Sequence, residues 1–223
     1  MNNYFVILAA GKGTRFGKKI PKQYYIYNDK EILLHSVHKA LKSKLFKKIV
    51  IVTDNFKRTN KLNIDKTIKI IKGGNKRFKS SLIALKFLKK YKPNNILIHD
   101  AARPNFSIRL LKKLISELKL NNAVIPYLQS KDAIKYKIKN EFYNLDKKRS
   151  YLTQTPQAFR FNNLYNISTN NSQIVSDESE LFLKKNLSVR FIKGEISNIK
   201  ITTKEDLKVS KTFFGIGFDV HRL

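Results

Sequence analysis

The chain has 223 residues, 42% of them hydrophobic, no cysteine, and 46 Lys and Arg against 16 Asp and Glu for a formal net charge of +30. That length and apolar content give one large or two small domains with a real core and exclude a disordered polymer, while the missing cysteines exclude a disulfide framework and any thiolate metal or redox site. No run reaches the roughly 18 apolar residues of a membrane span and the N-terminus lacks a signal-peptide core, so no membrane partner is expected and the cytoplasm is the default compartment.

In chain order, "YFVILA" (4–9) is a short apolar run, read as a strand covered on both faces. It discharges into "AAGKGTRFGKKIPKQ" (9–23), where three glycines mix with Lys12, Arg15, Lys18, Lys19 and Lys22. Like charges this close repel unless water or a bound anion separates them, which points to a polyphosphate. The loop is not a dinucleotide fingerprint, because Phe16 stands where the third glycine should fall. It is not a Walker A loop either: Gly11 and Gly17 are one residue too far apart, and Lys19 follows Lys18. What remains is a glycine-rich loop whose exposed N–H groups suit phosphates, with Arg15 as a planar fork and Lys22 as a mobile point charge. A strand-to-helix turn with solvated charges is the plainer alternative.

Helical stretches at "EILLHSVHKALKSK" (31–44) and "FKSSLIALKFLKKY" (78–91) alternate with strands at "KKIVIVT" (47–53), "TIKIIK" (67–72) and "NILIHD" (95–100). Between the third strand and its helix, "GGNKRFKSS" (73–81) repeats the first loop's design, with Arg77 for charge and Ser80 as a cap or ligand group. After the fourth strand, Asp100 stands where a carboxylate can hold a magnesium–phosphate or a ribose hydroxyl. Arg103 follows, restrained by Pro104; His99 reads as a half-buried strand residue rather than a catalyst. In "SIRLLKKLISELKL" (107–120), Ile108, Leu111, Leu114, Ile115 and Leu118 recur at helical spacing behind Ser107 as N-cap. "NAVIPY" (122–127) is the fifth strand. The alternation predicts a three-layer α/β domain with a mainly parallel sheet, whose ligands bind beyond the carboxyl ends of the strands.

The rhythm then changes. "AIKYKIKNEFYNLD" (133–146) reads as two short strands around "KNE", a hairpin arm over about 130–146. Its Ile134, Tyr136 and Ile138 need cover, from a partner subunit or from the chain's own domain. The positive charge suits nucleic acid. However, Lys is spread through almost every segment, as AT-rich coding bias also produces, and no RNP-type motif accompanies it. Nucleic acid is therefore not an expected partner.

"AAGKGTRFGKKIPKQY", "GGNKR…S", "HDAARP", "QTPQAF", "SDES" and "NIKITTKEDL" stand in the order seen in the 2-C-methyl-D-erythritol 4-phosphate cytidylyltransferase family, which the chain resembles over nearly residues 4–213. The resemblance implies a Rossmann-like, GT-A-like nucleotidyltransferase domain over 1–213. It implies transfer of CMP from CTP to methylerythritol phosphate with Mg²⁺ on the triphosphate; another polyol phosphate, such as ribitol 5-phosphate, is the alternative acceptor. Matched residue by residue, Arg15 and Lys22 stabilise the transition state, with Lys147 and Lys200 also expected to act in catalysis. Gly11 and Gly13 hold the triphosphate. Ala9, Ala10, Gly74 and Ser80 surround the cytosine; Arg77, Asp100 and Ala101 lie near the ribose and phosphates, with Asp100 the candidate Mg²⁺ ligand. Arg103, Lys147, Thr155 and Lys200 match the methylerythritol phosphate side. The hairpin arm of this family reaches across a homodimer.

Two positions depart from the family. Lys147 stands eight residues before Thr155 where Arg is common, with Arg149 nearby, and Ala133 replaces a frequent Thr after Asp132. Finally, "FGIGFDVHRL" (214–223) resembles the first strand of 2-C-methyl-D-erythritol 2,4-cyclodiphosphate synthase. There Asp219 and His221 would be ligands of a divalent metal such as Zn²⁺, once the rest of that domain is present. The resemblance implies a bifunctional fusion cut just inside its second domain.

Overall fold

The computed structural model of the chain describes residues 2–11, 13, 16 and 20–208. β1 (Asn3–Leu8) is followed by a 3-10 turn at Lys22–Tyr24 and a small hairpin, β2 (Ile26–Tyr27) and β3 (Lys30–Glu31), which delivers α1 (Ile32–Ser43). Next come β4 (Lys48–Thr53), the short helix α2 (Phe56–Thr59), β5 (Lys69–Lys72), α3 (Arg77–Lys89), β6 (Asn95–Asp100), α4 (Ile108–Glu117) and β7 (Ala123–Gln129). The remaining elements are β8 (Ile134–Ile138), β9 (Glu141–Leu145), β10 (Tyr151–Thr153), β11 (Gln157–Arg160), α5 (Phe161–Thr169), α6 (Ser179–Lys184) and β12 (Val189–Lys193).

Eight strands form one sheet, with β5, β4, β1 and β6 running parallel in that order. β11 lies antiparallel between β6 and β7. Tyr127 pairs with Thr153 on one side and Lys193 on the other, so β10 and β12 flank opposite edges of β7. The sheet is mainly parallel, as the apolar runs predict.

Alternation along β1 sends its side chains into two cores. Phe5 and Ile7 pack with Leu33, Val37, Leu111 and Leu114 from α1 and α4. Tyr4 and Val6 pack with Leu85 and Leu88 of α3, Leu164 of α5 and Phe182 of α6. The result is helix, sheet, helix: three layers. Ser107 caps α4 as expected, its Oγ accepting from the Leu110 N–H at 3.0 Å.

β5 starts at Lys69 rather than Thr67, because the Asp65 carboxylate accepts from both the N–H and the hydroxyl of Thr67 and turns the chain there. Among the described residues β8 and β9 pair only with each other, Tyr136 opposite Tyr143 with the rings stacked at 5.5 Å. Ile138 is 53% and Phe142 71% exposed, so the described residues of the chain's own domain leave the arm uncovered.

Candidate active site

A cavity of about 730 Å³ opens at the carboxyl ends of β1, β4, β5 and β6. Parallel strands place their following loops together there, which is why the three motif loops share one wall. Ala9, Ala10, Gly11, Gly13, Gly74, Arg77, Ser80, Asp100, Ala101, Lys22 and Lys200 all line it.

The first loop is held from inside. Gly13 has φ +62, a conformation open to glycine at no steric cost. The buried Gln23 donates from Nε2 to the carbonyls of Ala9 at 2.5 Å and Gly11 at 3.1 Å, fixing the strand exit. The adjacent Lys22 donates from Nζ to the Ile201 carbonyl at 2.7 Å. Arg15 lies outside the described residues. The second loop comes so close that a Cβ on Gly73 would overlap that of Ala10. Ser80 Oγ accepts from the Gly74 N–H at 3.1 Å, which shapes the loop as it enters α3.

Asp100 is the electrostatic centre. Its Oδ1 accepts from Arg77 Nε at 2.9 Å and its Oδ2 from Lys200 Nζ at 2.7 Å. Burial alone would raise this carboxyl, but the two cations hold it well below the ordinary carboxylate range. Arg77 also reaches Glu178, Nη1 meeting both carboxylate oxygens at 2.8 and 2.9 Å. Burial pulls Arg77 down, and its two carboxylate partners more than reverse this, so it stays protonated. Glu178 belongs to the "SDES" motif, yet residue type and spacing alone gave it no role.

A second layer aims Asp100. His99 is fully buried, not half-buried, because β6 is covered on both faces. Its Nε2 lies 3.1 Å from the Arg103 carbonyl, which can only accept, so the proton sits on Nε2 and Nδ1 takes the Thr155 hydroxyl at 3.1 Å. Thr155 Oγ1 in turn accepts from the Asp100 N–H at 3.0 Å. Burial, with Arg103 nearby, pushes His99 down to about 3 despite Asp100, so it is neutral.

Lys200 is positioned by its own loop. Gln154 and Arg103 both donate to the Asn198 carbonyl, at 3.1 and 2.9 Å, and Asn198 Nδ2 donates to the Thr155 carbonyl at 2.9 Å. The Ile201 N–H donates to the Ala102 carbonyl at 2.9 Å, and the Ile201 side chain is buried. Sequence reasoning missed Gln23, Gln154 and Asn198. All three stand inside the quoted motifs, but a buried amide reveals its partners only once the fold brings them close.

The residues matched to the acceptor side are not gathered as tightly. Lys200 lines the cavity, whereas Arg103 spends two donors on the Asn198 and Thr153 carbonyls and Thr155 spends its hydroxyl on Asp100 and His99. Lys147 sits in a short turn at the foot of the arm, its Nζ 3.3 Å from the Lys131 carbonyl, and does not line the cavity. Arg149 is exposed beside Asp146. Asp219 and His221 lie outside the described residues, among which no group of three or more His, Cys, Asp or Glu could hold a metal ion.

The sequence model described as "IspD: 2-C-methyl-D-erythritol 4-phosphate cytidylyltransferase" matches residues 4–215. The "Bifunctional enzyme IspD/IspF" of Pelagibacter ubique is 48% identical over 227 residues; the alignment takes in 100% of this chain, and the chain spans 61% of that relative. The 2-C-methyl-D-erythritol 4-phosphate cytidylyltransferase of Clostridium kluyveri is 36% identical, with 96% of each chain covered. Among solved structures, the bifunctional IspDF of Campylobacter jejuni superposes with a TM-score of 0.81 at 28% identity, covering 93% of this chain and 54% of that one. The Francisella tularensis IspD gives 0.80 at 31% identity, covering 94% and 98%. Since these matches run through the cavity loops as well as the sheet, the chain belongs to the 2-C-methyl-D-erythritol 4-phosphate cytidylyltransferase family of nucleotidyltransferases.

Proposed function

We propose that this chain transfers the cytidylyl group of CTP to 2-C-methyl-D-erythritol 4-phosphate and releases pyrophosphate. The observation that carries the reading is the convergence of Lys22, Lys200, Arg77 and Asp100 on one cavity floored by the glycine loop. An oxygen of the acceptor's phosphate attacks the α-phosphorus in line, and the bond from that phosphorus to the α,β-bridging oxygen breaks as pyrophosphate leaves. A phosphate monoester is already a competent nucleophile at neutral pH, so no general base is needed. Positioning and charge stabilisation then carry the reaction. The backbone N–H groups of Ala9, Ala10, Gly11 and Gly13 hold the triphosphate with Lys22, which stabilises the charge that develops on it, and the resemblance gives Arg15 the same role. Lys200 sits beside Asp100 to receive the acceptor's phosphate, with Arg103, Thr155 and Lys147 supporting that side.

Magnesium bound to a triphosphate takes one or two protein carboxylates plus phosphate oxygens. Asp100 fits that mode, a single carboxylate at the cavity wall; the ion would neutralise triphosphate charge. The exposed apolar arm supports a homodimer in which a second copy covers it. Residues 214–223 open a second domain in this reading, with Asp219 and His221 as two of its metal ligands. No described helix is long and apolar enough to cross a membrane; the reaction is placed in the cytoplasm as part of this reading.

Pyrophosphate release with CTP, Mg²⁺ and a panel of polyol phosphates tests the reading. Methylerythritol 4-phosphate should be turned over well and ribitol 5-phosphate poorly; the reverse order would replace the acceptor.

A further inference from the structure

Glu178 is fully buried at the end of a loop far from the glycine motifs in sequence, yet its carboxylate grips the one guanidinium that, among the described residues, bonds to Asp100. Its location is built, not incidental. The neighbouring Asp177 accepts from Thr153 Oγ1 at 3.0 Å and Gln157 Nε2 at 2.9 Å through Oδ2. Its Oδ1 caps α6 through the Ser179 N–H at 3.0 Å. The loop is thereby tied to β10 and β11, and Glu178 is delivered to Arg77.

We propose that Glu178 is a positioning residue that keeps Arg77 from closing on Asp100. This rests on the cytidylyltransferase reading of the cavity. A guanidinium beside a lone buried carboxylate takes it with two parallel N–H bonds. Arg77 does not do so here. Only Nε meets Asp100, at 2.9 Å: the bonds from Nη1 to both oxygens of Glu178 fix the plane of the guanidinium, and Nη2, the nitrogen beside the Nε–H that would complete the fork, makes no bond to Oδ2. Asp100 Oδ2 is left to Lys200, and Arg77 Nη2 is buried without a protein partner among the described residues. A nucleotide entering the cavity thus meets a carboxylate oxygen shared with the Lys200 ammonium, and a guanidinium N–H₂ that is already desolvated. Without the Glu178 charge, Arg77 swings into a fork on Asp100 and both groups are withdrawn from the ligand.

A double-mutant cycle separates this from simple structural support. Glu178→Gln, Asp100→Asn and the double variant are compared with wild type for kcat/KM and for calorimetric CTP affinity, the latter independent of the acceptor; melting curves establish folding. Glu178→Gln should weaken CTP use by roughly 10- to 100-fold, the scale expected when a reacting group is displaced by about 1 Å. The double variant should be no worse than Asp100→Asn alone, since the harm is done through Asp100. Losses that multiply, or a Glu178→Gln enzyme with wild-type kinetics and affinity, overturn the proposal. If Glu178→Gln melts below the assay temperature, Glu178→Asp goes through the same cycle and must show the same coupling. Wild-type CTP binding without turnover of methylerythritol phosphate would fault the acceptor assignment and leave this cycle readable; no CTP binding at all overturns both.

Discussion

Lys22 and Lys200 reach the cavity from chain positions 178 residues apart, and each is anchored before any ligand arrives, Lys22 on the Ile201 carbonyl and Lys200 on Asp100. A cation held at the reacting phosphates gains most of its interaction when charge develops, so its loss should appear in kcat. Lys22→Ala and Lys200→Ala are each expected to lower kcat about 10²–10³-fold, the cost typical of one preorganised donor. Steady-state kinetics checks this; unchanged kcat with raised KM would make them ground-state binders. His99 gives a pH prediction. Its folded value lies near 3 against an ordinary 6.5, so as pH falls through that window the unfolded chain binds a proton that the folded chain refuses. Stability therefore falls toward acid, and His99→Asn should flatten denaturant midpoints measured from pH 6.5 down to about 3. Lys22 and Arg77 were legible in the sequence because charge beside glycine in a strand-end loop has few structural uses, whereas Lys200 stood out only through the family resemblance. The buried amides and Glu178 were not, since their roles depend on contacts such as the 101-residue separation between Arg77 and Glu178.

At the scale of elements, the central parallel strands announce themselves as continuous apolar runs because helices cover both their faces. β10, β11 and β12 do not. "YLTQTPQAF" alternates buried polar groups with apolar ones, since Gln154, Thr155 and Gln157 face the loops they tie down rather than a hydrocarbon core. α6, with six residues, is too short for a helical period to show. Two elements carry predictions. Gly73→Ala should push the second loop off Ala10 and weaken CTP binding, which titration calorimetry would detect; unchanged affinity would mean that the loops need not approach so closely. On the arm, Phe142→Lys places a charge in an apolar patch, and sedimentation should shift the species from two copies toward one. A single-copy wild type would remove the dimer from the account.

For the whole molecule, the net charge of +30 acts at a distance. Steering of a highly anionic nucleotide is screened by salt, with a Debye length of about 8 Å at physiological ionic strength, whereas the desolvated Asp100 cluster is screened far less. Rising NaCl should therefore depress kcat/KM for CTP while kcat changes little, as initial rates across a salt series would reveal. If the Asp100 cavity moves a cytidylyl group onto a phosphate, the transfer can be followed atom by atom. The direct measurement is rapid-quench single turnover with CTP labelled at the α-phosphorus, excess methylerythritol 4-phosphate and Mg²⁺, comparing wild type with Lys22→Ala. Label should appear in a CDP-polyol at the rate that pyrophosphate is released, with a slowed transfer step in the variant. Label remaining in CTP or passing to free CMP, or equal transfer rates in the two proteins, would contradict the proposed transfer.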